Sequence, residues 1–177
     1  MGVDMSSPRI YVLMGVSGCG KSAVAAQLAH NLQAALLDGD FLHPRANINK
    51  MAAGQPLNDA DRAPWLAAIN DAAFAMQRTN TLSFIVCSAL KKQYRDQLRA
   101  GNPNLRFVFL HGPFEVIAER LAARQGHFQK TGMLESQFAT LEVPGADEAD
   151  VLHIDITPTL AEVVAAAQEA IVAQGEA

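Results

Sequence analysis

Residues Gly15-Val16-Ser17-Gly18-Cys19-Gly20-Lys21-Ser22 fill every fixed position of the phosphate-loop pattern GxxxxGK[ST], and no other stretch restricts the fold so strongly. The pattern carries meaning only between a strand and a helix. Here Ile10-Tyr11-Val12-Leu13-Met14 precedes it as a short apolar run, and Ala23-Val24-Ala25-Ala26-Gln27-Leu28-Ala29 follows with helical character. Glycines at 15, 18 and 20 permit positive φ and close backbone approach, so successive N–H groups can turn inward around an anion. The following helix aims the positive end of its dipole at the same point. In that frame Lys21 reaches the β/γ-phosphates of a nucleoside triphosphate and the Ser22 hydroxyl binds Mg²⁺. The loop is therefore expected to hold a nucleotide through residues 15 to 22.

The remaining chain reads as strands alternating with helices. Ser22 to about Gln33 is expected to be helical, and Ala34-Ala35-Leu36-Leu37 is a short strand ending in Asp38-Gly39-Asp40. Pro44 suits the first turn of a helix running to Ala53 with Gly54 as its stop, and Pro64 helps start another, with Trp65, Ile69, Ala72, Ala73 and Met76 along one face. Thr81 to Cys87 reads as a strand covered on both faces. Ser88 opens a helix whose buried stripe is Leu90, Tyr94 and Leu98. Leu105 to His111 is the fourth strand, Pro113 to Gln125 a helix stopped by Gly126, and Val151 to Ile156 the last strand before a closing amphipathic helix. Residues 126 to 149 are polar and irregular apart from a weak helical stretch near Leu134 to Leu141, the signature of a mobile flap. Together these imply an α/β fold: a five-stranded parallel sheet with helices on both faces.

At 177 residues the chain suits one domain, with residues 1 to 8 frayed and 9 to 177 folded. A formal charge of −4 gives no reason to expect binding to nucleic acid or a membrane surface, and no apolar run is long enough for a signal peptide or a membrane span. The two cysteines, Cys19 and Cys87, lack the spacing of a metal site or redox pair, which fits reduced thiols and a cytoplasmic setting.

Phosphate-loop proteins commonly hold Mg²⁺ with an Asp at the end of an apolar strand, but the strand over residues 81 to 87 ends in Ser88. Asp38 and Asp40 are the acidic residues that follow a strand early in the chain. Asp40, nearer the following loop, is assigned to orient an acceptor hydroxyl, take its proton and steady Mg²⁺; ordinary Asp-Gly turn chemistry is the competing reading. Asn49-Lys50-Met51-Ala52 lacks the aspartate of a guanine-reading NKxD element, which argues against a switch GTPase. Arg120 and Arg124 stand one turn apart next to the flap and are assigned to the nucleotide, Arg124 as the clamp on the transferring phosphoryl group; a solvated basic face is the alternative. His43, Arg45, Lys91 and Arg95 gather just past two strand ends, with Ser88 among them, where positive charge suits an anionic acceptor.

Those residues sit within longer strings: Asp38-Gly39-Asp40-Phe41-Leu42-His43-Pro44, Gly54-Gln55-Pro56-Leu57-Asn58-Asp59 with Asp61-Arg62 and Pro64-Trp65-Leu66, Cys87-Ser88-Ala89-Leu90-Lys91-Lys92 with Tyr94-Arg95-Asp96, and Gly126-His127-Phe128. From about residue 9 to the C-terminus the chain resembles the bacterial gluconate kinases. The resemblance implies ATP-dependent phosphorylation of D-gluconate on its 6-hydroxyl, a fold like that of shikimate and adenylate kinases with a LID over about 124 to 149, and a homodimer. It places the nucleotide at residues 15 to 22, the acceptor-side carboxylate at Asp40, the LID arginine at Arg124, and gluconate contacts at Arg45, Lys91 and Arg95. A kinase for another polyhydroxy acid such as shikimate, or a nucleotide-binding regulator without transfer activity, are the alternatives. Cys19 stands where the family more often has serine. A thiol at a helix N-terminus beside a lysine is expected to be reactive, so that alkylation blocks ATP binding.

Overall fold

A computed structural model describes residues 7–125 and 130–175. Most of the expected frayed terminus (residues 1 to 6), and the helix stop and motif at Gly126-His127-Phe128, lie outside the described residues. The sheet contains β1 (Arg9–Met14), β2 (Ala35–Asp38), β3 (Leu82–Val86), β4 (Leu105–His111) and β5 (Val151–Asp155) in the order β2-β3-β1-β4-β5, every pair parallel. Alternation along β1 shows why helices must cover both faces. Ile10, Val12 and Met14 point into one apolar cluster and Tyr11 and Leu13 into the other, all fully buried.

Of the two faces, the first, that of Tyr11 and Leu13, carries α1 (Lys21–Leu32), α5 (Phe114–Gln125) and α7 (Leu160–Gly175), which contribute Leu28, Ile117 and Ile171. On the second lie α3 (Asp59–Thr79) and α4 (Lys92–Arg99), contributing Leu66, Ile69 and Leu98. Two further helices, α2 (Arg45–Ala52) and α6 (Lys130–Thr140), flank the edge where the strands end. Among the described residues no helix is long and apolar enough to cross a membrane.

Three local expectations are corrected. The helix expected to start near Pro64 starts at Asp59, because Asn58 and Asp61 form a capping box: the Asn58 side chain accepts from Asp61 N at 2.8 Å, and the Asp61 carboxylate accepts from Asn58 N at 2.9 Å. Pro64 is thus one turn inside. The helix expected from Ser88 begins at Lys92, because Ala89 adopts φ 45°, a left-handed conformation that an α-helix excludes. In the segment read as a flap, the helical stretch expected near Leu134 to Leu141 is α6 and starts earlier, at Lys130, and the return expected to be irregular is packed down: Glu148 is buried, with only 6% of its surface exposed.

Register puts the site together. Leu13, Val86 and Asp38 lie side by side across β1, β3 and β2. The phosphate loop after Met14 and the turn after Asp38 therefore leave the same edge of the sheet, two strand spacings or about 10 Å apart.

Candidate active site

Gly15 enters the phosphate loop with φ 143°, and a Cβ there would lie 2.7 Å from the Leu110 carbonyl oxygen and 2.8 Å from Cys19 Sγ, so only glycine lets the loop turn this tightly over the sheet. Gly15 N–H donates to the Ser88 carbonyl at 3.2 Å, which ties the loop to the end of β3. Lys21 folds back, its Nζ donating to the carbonyls of Gly15 at 2.9 Å and Val16 at 3.0 Å. Ser22 stands exposed in the first turn of α1. Cys19, expected to be reactive, is 3% exposed and lines the cleft beside the loop.

Asp38 and Asp40 divide their work. Asp38 caps the short 3₁₀ turn Gly39–Leu42, its Oδ1 accepting from Asp40 N at 3.0 Å. The Asp40 side chain is left 80% exposed, its Oδ1 4.0 Å from His43 Nε2. Lys21, Asp38 and Asp40 all act electrostatically on the buried Cys87 thiol, which desolvation in the first place pushes up to about 12. Gly15 N–H bonds the Ser88 carbonyl and a Cβ on Gly39 would lie 2.6 Å from the Val86 carbonyl oxygen, so the phosphate loop and the acidic turn converge at the end of β3.

His43 is held on three sides. Its ring stacks on Trp65 at 4.1 Å between centroids, and the Trp65 indole N–H donates to the Gly39 carbonyl at 2.8 Å. Asn47, nearly fully buried, has its Nδ2 2.9 Å from the Asp61 carbonyl oxygen, which only accepts, so that atom is the amide nitrogen. The same nitrogen lies 3.3 Å from His43 Nδ1, which must then be the acceptor, leaving the proton of the neutral ring on Nε2, toward Asp40. Burial foremost, with Arg62 adding to it and Asp40 opposing, holds the His43 pKa below its ordinary value and keeps the ring neutral.

The basic residues assigned to the acceptor separate. Arg45 is exposed at the first position of α2, and Ser88 is half-buried at the strand end. Lys91 donates to Asp59 Oδ1 at 3.2 Å beside the Tyr94 ring. Arg95 is fully buried and points away from any acceptor. Its Nε and Nη2 grip Glu148 at 2.7 and 2.8 Å, Nη1 donates to the carbonyls of Ala89 and Leu90, and Nη2 also donates to that of Glu142. All five of its N–H donors are engaged, so the substrate contact expected from the sequence is corrected to a clamp on the 88–91 loop.

A cleft of about 290 Å³ opens beside the phosphate loop, lined by Gly18, Ala23, Arg120, Arg124, Ile156 and Leu160. Arg124 is exposed at its wall. Arg120, expected on the nucleotide's phosphates, donates to the carbonyls of Ile156, Thr157 and Pro158 and so fixes the loop after β5. Gln137 on α6 was invisible to pattern reading, yet its Oε1 accepts from Ser17 N at 2.7 Å and its Nε2 donates to Ser17 Oγ at 2.9 Å. Asn47 was likewise missed. An Asn four residues after a His, across the start of α2, was its one available signal.

Residues 10–144 match the family model described as an AAA domain. The chain is 69% identical over 162 residues to the thermoresistant gluconokinase of Escherichia coli (strain K12), covering 92% of this chain and 93% of that protein. The crystal structure of a gluconokinase from Sinorhizobium meliloti 1021 superposes with a TM-score of 0.86 at 43% identity, over 96% of this chain and 95% of that one. Shikimate kinase from Aquifex aeolicus shares the fold alone, with a TM-score of 0.55 at 17% identity over 93% of this chain and 97% of the other.

Proposed function

This chain belongs to the gluconokinase family, and from that premise and the geometry above we propose that it transfers the γ-phosphoryl group of ATP to the 6-hydroxyl of D-gluconate, giving 6-phospho-D-gluconate. The observation that carries the reading is the convergence, at one edge of the sheet, of a phosphate loop with its lysine and an exposed aspartate two strands away. The loop amides of residues 15 to 22 cradle the phosphates, and Lys21 swings from the Gly15 and Val16 carbonyls to the β/γ oxygens. The cleft between Arg120 and Leu160 takes the nucleoside. Asp40 accepts the proton of the attacking hydroxyl, because His43 Nε2 is already protonated and can only donate.

Arg45 and Lys91 supply positive charge for the sugar acid, Lys91 exchanging Asp59 for the gluconate carboxylate. Arg124 reaches the transferring group from the cleft wall. Mg²⁺ fits this donor set, since it needs few protein ligands: the Ser22 hydroxyl and the Asp40 carboxylate would hold it, and it would supply charge neutralisation at the phosphates. Free, buried Cys19 and Cys87 support a cytoplasmic setting, and the homodimer implied by the resemblance is tested by sedimentation.

Coupled ADP release should be robust with gluconate and weak with shikimate; comparable turnover of both would remove the selectivity assigned here. Asp40→Asn should keep ATP affinity while kcat falls by roughly 10²–10⁴, the usual weight of a positioned base. Unchanged turnover would take Asp40 out of the mechanism. Arg124→Ala should lower kcat more than it weakens ATP binding.

A further inference from the structure

Ser17 N–H in the phosphate loop is, among the described residues, the loop amide from Gly15 to Ser22 that donates to a side chain from another element, the Gln137 amide. Both contacts have fixed polarity. A backbone N–H only donates, so the atom 2.7 Å from it is the amide oxygen, and the atom 2.9 Å from Ser17 Oγ is the NH₂. The place matters as much as the pairing. Lys21, which serves the β/γ end of a triphosphate, rests on the carbonyls of Gly15 and Val16, immediately before Ser17, whereas α1 begins at the opposite end of the loop. Ser17 N–H thus lies at the end of the loop away from α1, beside the carbonyls that hold Lys21.

Resting on the kinase reading above, we infer that Gln137 is a γ-phosphate contact, absent from every set of site residues assigned above, through which α6 distinguishes ATP from ADP. In the arrangement seen, its carbonyl oxygen sits on Ser17 N–H as a phosphoryl oxygen would. When the γ-phosphate takes that N–H, its oxygen displaces the Gln137 amide, which draws back from Ser17 N and turns over about its terminal side-chain torsion. Oε1 then accepts from the Ser17 hydroxyl and Nε2 donates to a γ-oxygen, so neither polar end is lost. ADP, with no γ-phosphate, leaves the present pairing in place.

The helix is built to carry such a message. Leu134 is fully buried and Phe138 packs edge-on to Phe114, 5.4 Å between centroids, so α6 is anchored on either side of Gln137. Just beyond its end, Glu142 N–H donates to the Leu90 carbonyl at 2.8 Å, and the Glu142 side chain accepts from Lys92 N at 2.8 Å. The residue on the phosphate loop and the loop that bears Lys91 are thus joined through one short element.

Calorimetry on the whole chain without acceptor separates this inference from the catalytic reading. The parent protein should bind both ADP and β,γ-imido-ATP, and failure to bind either would overturn the nucleotide reading itself. Gln137→Leu should weaken the imido analogue by about tenfold, the loss of one hydrogen bond to a charged group, while ADP affinity stays within about twofold. Gln137→Glu, nearly the same shape but unable to donate and carrying a charge, should weaken the analogue further and guards against a packing effect of leucine. Equal losses for the two nucleotides, or tighter binding of the analogue, would overturn the contact with γ-phosphate.

Discussion

Asn47 and His43 show how one buried amide can decide what a neighbouring ring does. Because Asn47 Nδ2 must donate to the Asp61 carbonyl, His43 Nδ1 is left as acceptor and Nε2–H faces Asp40. Long-range ¹H–¹⁵N spectra at neutral pH should show His43 neutral with the proton on Nε2. In Asn47→Asp, a carboxylate replaces the donor, so the proton should move to Nδ1 or the ring should charge, with kcat falling and ATP affinity retained. A ring whose nitrogen shifts are the same in both proteins would refute the assignment. At the same scale, the sequence neighbours of Cys19 suggested reactivity, whereas its exposure of 3% is a property of the folded loop.

At the scale of elements, Arg95 makes the loop after β3 part of a larger unit. It holds the Ala89 and Leu90 carbonyls, and with them the left-handed Ala89, while gripping Glu148 from the return of the segment after α6. Arg99 joins from the next turn of α4, bonding Glu148 at 2.8 Å and Asp150 at 2.7 and 2.8 Å. Arg95→Lys cannot reproduce a two-point grip on a carboxylate plus three carbonyl bonds. It should destabilise the protein by roughly 3–5 kcal/mol, as breaking a buried pair does, and raise KM for the acid acceptor by loosening Lys91. A variant with unchanged Tm and only a higher KM would instead restore Arg95 as a direct substrate contact.

Across the whole molecule the same network sets the response to acid. Hydrogen bonds from Arg95, with Arg99 adding, hold the Glu148 carboxyl down at about 2 from its ordinary 4.5. Its folded pKa is depressed, so its contribution is complete above pH 4.5 and is lost as pH falls toward 2, on the order of 3 kcal/mol in all. Urea midpoints should therefore drop across that window, and Glu148→Gln should flatten this part of the profile at the cost of lower stability at neutral pH. Asp59 and Asp61 are also shifted down, chiefly by hydrogen bonds from Tyr94 and Lys50, but Asp59 is exposed and Asp61 partly so, and solvent screening leaves such pairs little weight. The fold itself was legible because its causes are local and periodic: alternating apolar residues on β1, the glycine spacing of the loop, and strand–helix alternation fix a parallel sheet with the nucleotide loop at its edge. Helix boundaries set by a capping box, or broken by one left-handed alanine, depend on side-chain and backbone bonds that no spacing rule reveals. For the site, the sequence determined which charged residues lie near the strand ends. Only the tertiary structure decided where each side chain points, sending Arg95 inward to Glu148, Arg120 to the loop after β5 and Gln137 onto Ser17, because hydrogen-bonding partners 36 to 120 residues apart in the chain become neighbours only once the sheet has assembled.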